Sequence, residues 1–196
     1  MYKVVGGQRS RTFRVLWMLE ELGVDYEHEP AAPRSEEVKA INPAGKVPVL
    51  IVDGTPITDS TAILTFLADR HGALTYPAGT LDRARQDSLT QFLLDELDSI
   101  LWTAARHSFI LPEELRQSGI KNSLKWEFER SQKTLVSRMG KGDFLMGDTM
   151  TVADIILTHC GNWADTANFE ISEPRLRDYF DRMRTRPAYV KARAVE

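Results

Sequence analysis

The chain is 196 residues long, 42% hydrophobic and 27% charged, with a formal net charge of −3. That composition supports a buried core and excludes wholesale disorder, and the small net charge gives no general attraction to nucleic acid or to an anionic membrane. The single cysteine, Cys160, excludes an intrachain disulfide and a cysteine-built zinc site. His28, His71, His107 and His159 lack metal-ligand spacing, so no metal is expected. No apolar run approaches the length of a membrane span, and the first seven residues lack the apolar stretch of a signal peptide, so a cytoplasmic setting is the default expectation.

In chain order, residues 2–5 form a short β-prone run that Gly6 and Gly7 break. Ser10 is placed to cap a helix. Phe13, Leu16, Trp17 and Glu20 follow at helical spacing, Leu19 and Leu22 widen the apolar face, and Gly23 stops it. Residues 24–29 read as a second strand, and Pro30, Pro33 and Ser35 as a loop before a turn or two of helix at 35–40. The continuous apolar run Val49–Val52 has the length of a buried central strand. Asp53-Gly54 then predicts a hairpin, with Pro56 suited to an edge strand. A helix follows from Asp59 and Ser60 to Gly72.

The stretch 72–80, carrying Gly72, Pro77 and Gly79, reads as a connection, and beyond it the periodicity is helical throughout. Helices are predicted over 81–106, from Pro112 to about 139, over 151–167, and over 173–185 and 187–194. The expected architecture is therefore α/β followed by all-α. A βαβ-ββα first domain with a mixed four-stranded sheet occupies 1–74, a linker 75–81, and an all-helical domain 82–196.

Three segments of the first domain offer chemistry. Arg9-Ser10-Arg11 opens a helix, where free backbone N–H groups and positive partial charge stabilise an anion. The simpler role of Ser10 is that of a helix cap. In the segment from Asn42 through Lys46, Val47 and Pro48 to Val49, Pro48 immediately precedes the buried strand. A cis bond there would leave the Val47 N–H and C=O facing a cleft, able to pair with an extended peptide-like ligand, although the spacing alone does not select that isomer. Asp59-Ser60 opens a second helix and can either hold a carboxylate or cap the backbone. In the helical part, Thr151 and Asp154 have the spacing of a capping box, a structural device. Trp102, Arg106, Phe109 and Trp163 could line an apolar site or belong to the core.

Taken together, SRTFRVLWMLEELGVDYE, NPAGKVPVL, ITDSTAILTFLADRHG and FLMGDTMTVADIIL resemble a glutathione transferase over nearly the whole chain. The resemblance implies a thioredoxin-like first domain with a cis bond before Pro48, an α-helical second domain, a homodimer, and glutathione bound between the domains. Ser10 then matches the hydroxyl that hydrogen-bonds the glutathione sulfur. Val47 matches the residue whose backbone pairs with the cysteinyl part, and Lys46 is placed near the glycyl carboxylate. Ser60 would take the γ-glutamyl carboxylate and Asp59 would help with its amine. Positions 6 and 7 are glycines where many members carry a tyrosine, and Cys160 lies in the wrong domain for a cysteine-type enzyme, which leaves the serine type. The activity implied is attack of a glutathione thiolate on hydrophobic electrophiles, a detoxifying reaction, with no nucleic-acid or membrane partner. Glutathione-dependent isomerisation, dehalogenation or peroxide reduction needs the same thiolate, and a noncatalytic transferase-like binding module is the alternative of a different class.

Overall fold

The computed structural model describes residues 1–195, which form two compact units. One comprises Met1–Pro77 together with the chain from Met183 onward, and the other spans Ala78–Arg182.

In the first unit, strands β1 (Tyr2–Val5), β2 (Tyr26–Glu29), β3 (Val49–Val52) and β4 (Thr55–Thr58) make one sheet in the order β2-β1-β3-β4. β1 and β2 run parallel, joined through helix α1 (Phe13–Leu22), while β3 pairs antiparallel with both β1 and β4. The register sets Val4 opposite Leu50 and Val5 opposite Val49, and all four side chains are buried. β4 is one of the two edge strands, and Pro56 lies on it, where a missing N–H is tolerated. Every residue of α1 from Phe13 to Leu19 is buried, and Gly23 ends the helix in the left-handed conformation at φ 63°. Each fully buried Leu or Val here contributes roughly 1.5–3 kcal/mol of transfer free energy. Helices α2 (Glu36–Ile41) and α3 (Ser60–His71) complete the expected order.

The second unit is helical, with α4 (Leu81–Leu93), α5 (Ser99–Ala105), α6 (Ile120–Arg138), α7 (Val152–Ala167) and most of α8 (Pro174–Arg184). Helical backbone continues from α4 to α5 through a wider turn at Leu94–Asp98, and a similar turn at Arg106–Ile110 extends the expected helix by one turn. The helix expected from Pro112 instead begins at Ile120. Residues 111–117 are held otherwise: Arg116 Nε donates to the Leu111 carbonyl (2.8 Å) and the Gln117 N–H to His107 Nδ1 (3.1 Å). These partners satisfy groups that a helix would have used, and Pro112 precedes only a short turn at Glu113–Leu115.

Asp154 organises the start of α7. Its carboxylate accepts from the Thr151 N–H (2.8 Å), Thr151 Oγ1 (3.1 Å), the Leu145 N–H (2.8 Å) and Tyr179 Oη (2.8 Å). The expected capping box is thus the centre of a buried polar knot.

The last helix, α9 (Pro187–Arg193), packs as part of the first compact unit. Tyr189 sets its ring edge-on against Phe13 (5.2 Å between centroids) and Trp17 (5.0 Å). Arg186 grips Glu21 through two bonds (2.7 and 2.8 Å), and Gln8 Nε2 donates to the terminal carbonyls of Ala192 (3.0 Å) and Arg193 (2.7 Å). An apolar periodicity gives α9 a face to bury but does not say against which helix.

Candidate active site

The site is built around a glycine. Gly6 sits at φ +136°, and a Cβ there would lie 2.3 Å from Thr12 Oγ1 and 2.8 Å from Val47 Cβ. Only glycine lets the end of β1, the opening of α1 and the loop before β3 come this close. The Gly6 and Gly7 N–H groups donate to the carbonyls of Glu29 and Ala31 (3.0 and 3.1 Å), carrying the β1–β2 ladder to the mouth of the site.

Ser10 has an extended backbone (φ −121°, ψ −170°) at the point where α1 opens. Its Oγ accepts from the Thr12 N–H (3.1 Å), donates to the Gly7 carbonyl (2.7 Å), and lies 2.9 Å from Thr12 Oγ1. It is therefore a helix cap, and half-buried rather than sealed off. An open cleft of about 410 Å³ lies beside it, lined by Gly7, Arg9, Ser10 and the loop Pro30, Ala31, Ala32 and Pro33. The Ser10 oxygen thus caps the backbone, and its proton is held by the Gly7 carbonyl at the edge of the cleft.

In the loop before β3, Asn42 holds the turn: Nδ2 donates to the Lys46 carbonyl (2.9 Å) and Oδ1 accepts from the Ala44 N–H (3.2 Å). The Val47–Pro48 bond is cis. Pro48 is buried, Val47 half-buried and Lys46 exposed. Among the described residues neither the N–H nor the C=O of Val47 has a hydrogen-bond partner, which leaves a short open backbone edge.

At the opening of α3, Asp59 adopts φ 71° and its Oδ1 accepts from the N–H groups of Thr61 (2.8 Å) and Ala62 (3.2 Å). Ser60 is buried, and its Oγ accepts from Arg14 Nη1 at 3.3 Å. The structure thus brings Ser10 and Val47 together around Gly6 and Thr12, and ties Ser60 to α1 through Arg14. Lys46 and Asp59 are exposed at the rims of their loops.

The sequence reading missed Thr12 and Arg14. Arg14 is fully buried, although it stands between Phe13 and Val15 on a helix whose neighbours are all apolar. A cation inside such a run, one turn beyond Ser10, was the available signal. Its guanidinium adds positive potential near both helix openings. In the second unit, Trp102 packs on Trp163 (6.4 Å between centroids), whereas Phe109 stands exposed. Cys160 is buried there, its Sγ 3.8 Å from Asp98 Oδ1. Among the described residues no helix is long and apolar enough to cross a membrane, and no group of His, Cys, Asp and Glu is clustered to hold a metal ion.

A family model for the glutathione S-transferase N-terminal domain matches residues 10–70, and one for the glutathione S-transferase C-terminal domain matches residues 108–192. The chain is 31% identical over 162 residues to the maleylacetoacetate isomerase of Rhizobium meliloti (strain 1021), covering 76% of this chain and 74% of that one. It superposes on a glutathione transferase from Methylococcus capsulatus strain Bath with a TM-score of 0.84 at 27% identity, over 98% of this chain and 97% of that one. A sphingomonad glutathione S-transferase complexed with glutathione aligns with a TM-score of 0.82 at 25% identity, over 97% of this chain and 96% of that one. The sheet-bearing first domain is accordingly thioredoxin-like and the second all-α. With both domain matches in that order on one chain, this protein belongs to the glutathione S-transferase family.

Proposed function

We propose that the protein is a serine-type glutathione transferase in which Ser10 stabilises the thiolate of bound glutathione for attack on apolar electrophiles. The observation that carries this reading is the half-buried Ser10 hydroxyl at the opening of α1, beside a cleft and near the open backbone edge of Val47. Val47, presented by the cis bond to Pro48, pairs with the cysteinyl backbone. Lys46 attracts the glycyl carboxylate. Ser60 holds the γ-glutamyl carboxylate with Arg14 behind it, and Asp59 accepts from the amine. Glutathione supplies the nucleophilic sulfur; the protein's part is to hold it and to favour its anion.

The magnitudes agree. A free thiol has a pKa of about 8.5, and lowering it by about two units takes roughly 2.7 kcal/mol. A hydrogen bond to a charged acceptor contributes about 1.5–3 kcal/mol and a helix N-terminus about 0.3–1 kcal/mol. The Ser10 hydroxyl must leave the Gly7 carbonyl to make that bond, so the net lies toward the lower end of the sum. We further propose that two chains pair as a homodimer, as the resemblance implies.

The test is ultraviolet absorbance of the bound thiolate against pH. In Ser10→Ala the thiol pKa rises and turnover falls while glutathione affinity changes little. An unchanged pKa removes Ser10 from this role, and absence of glutathione binding removes the transferase reading altogether. A second reading, glutathione-dependent isomerisation, is favoured by the likeness to the Rhizobium meliloti isomerase. It uses the same thiolate, adding it to a conjugated double bond and releasing it after rotation. Assaying an aryl halide beside a cis-enedione acid separates the two.

A further inference from the structure

Arg106 differs from several of the arginines on the second unit. Arg83, Arg130, Arg177 and Arg182 each lie within 4.0 Å of a carboxylate. Arg106 does not: its Nη2 donates to Thr103 Oγ1 (3.0 Å), and its Nε is sealed from solvent with no hydrogen-bond partner among the described residues. The sealed Nε–H is out of a ligand's reach, but Nη1 is not sealed and has no hydrogen-bond partner among the described residues, so its N–H groups are open to a carboxylate.

The surroundings define what that carboxylate is attached to. Trp102 precedes Arg106 by one helical turn on the same face. Trp102 packs against Trp163 of α7, and His159 sets its ring edge-on to Trp163 (6.1 Å between centroids). All four side chains are half-buried, so each keeps part of its surface in solvent. Arg106 also begins a widened turn, its carbonyl accepting from the Leu111 N–H five residues on (3.0 Å). Such turns recur at functional sites.

We infer that Arg106 makes the second unit selective for a small, flat, apolar acceptor that carries a carboxylate, its ring or chain lying on the Trp102–Trp163 pair. This names the acceptor class of the transferase reading above and rests on it. A neutral apolar ligand satisfies the indoles but leaves the guanidinium unanswered. An inorganic anion does the reverse. A carboxylate suits the planar fork of arginine, which offers two parallel N–H bonds.

The experiment is calorimetric titration of the full chain with 3,5-dinitrobenzoate and with neutral 1,3-dinitrobenzene. The wild type binds the acid about tenfold more tightly, and Arg106→Gln abolishes that preference while changing the neutral compound's affinity less than about twofold. Equal wild-type affinities overturn the inference, and decide it without the variant should Arg106→Gln not fold. Undiminished preference in Arg106→Gln also overturns it, as does inorganic phosphate binding as tightly as the acid. Glutathione binding, titrated separately, keeps the two readings apart. A chain that binds glutathione without preferring the acid ends this inference alone. One that prefers the acid through Arg106 but ignores glutathione supports the Arg106 site and ends the transferase reading.

Discussion

Arg14 Nη1 donates to Ser60 Oγ at 3.3 Å, joining the first turns of α1 and α3 across 46 positions of sequence. Both groups are buried, so the bond sets the spacing of the two helix openings that carry the candidate site. Ser60→Ala removes one acceptor from a buried guanidinium and is expected to lower stability by about 1–3 kcal/mol. Glutathione affinity should fall with it. Urea unfolding and calorimetric titration of the same variant measure both, and a loss of affinity at unchanged stability would show that the Arg14 bond contributes nothing to the fold.

Gly6 is the closest approach in the first unit. Its positive φ and the projected 2.3 and 2.8 Å contacts with Thr12 and Val47 leave no space for a methyl group. Gly6→Ala should destabilise the first unit by about 1–3 kcal/mol and push the Val47 loop from the opening of α1. Thermal unfolding reports the first effect. A glutathione titration that matches wild type would contradict the second.

Glu21 binds Arg186 through both oxygens and also accepts from Trp17 Nε1 at 2.8 Å. Removing either partner should free α9 from Phe13 and Trp17. A double-mutant cycle on Glu21→Ala and Arg186→Ala should give a coupling of about 1–3 kcal/mol, because the Glu21 side chain is only 9% exposed. The emission of Trp17 should shift red as its cover is lost. Additive single-variant effects would exclude the coupling.

Asp154 is fully buried, and burial raises its carboxyl above the ordinary value of 3.8, against the opposing pull of its donors. The folded chain therefore keeps a proton that the unfolded chain has already released in that interval. The associated stability is complete below the unfolded pKa and is lost as pH rises through the folded one. Wild-type stability measured against Asp154→Asn should decline upward from about pH 4. Asp154→Ala, which strands the Leu145 and Thr151 N–H groups and the Tyr179 hydroxyl, should cost several kcal/mol at neutral pH, at about 1–3 kcal/mol per orphaned donor. Calorimetric melting checks both, and a flat difference curve would place the Asp154 pKa at its unfolded value.

Local pattern was enough for the strands, for α1, for the hairpin at Asp53-Gly54 and for the Thr151–Asp154 cap. Each rests on chemistry within a few residues: alternation or 3.6-residue spacing of apolar side chains, a glycine where φ must be positive, a hydroxyl where N–H groups are free. The same chemistry offered Ser10 and Ser60 as helix caps or anion contacts and did not select the isomer before Pro48; the roles of Ser10, Val47 and Ser60 toward glutathione rest on the family resemblance. The tertiary structure alone decided which partners those groups meet. Nothing local to Arg14 names Ser60 of α3 as its partner, Pro112 reads as a helix start although Arg116 and His107 take up the groups of that loop, and the spacing of α9 does not name α1 as the helix it packs on. Periodicity encodes that a face will be buried; the partner that buries it is set by the path of the whole chain.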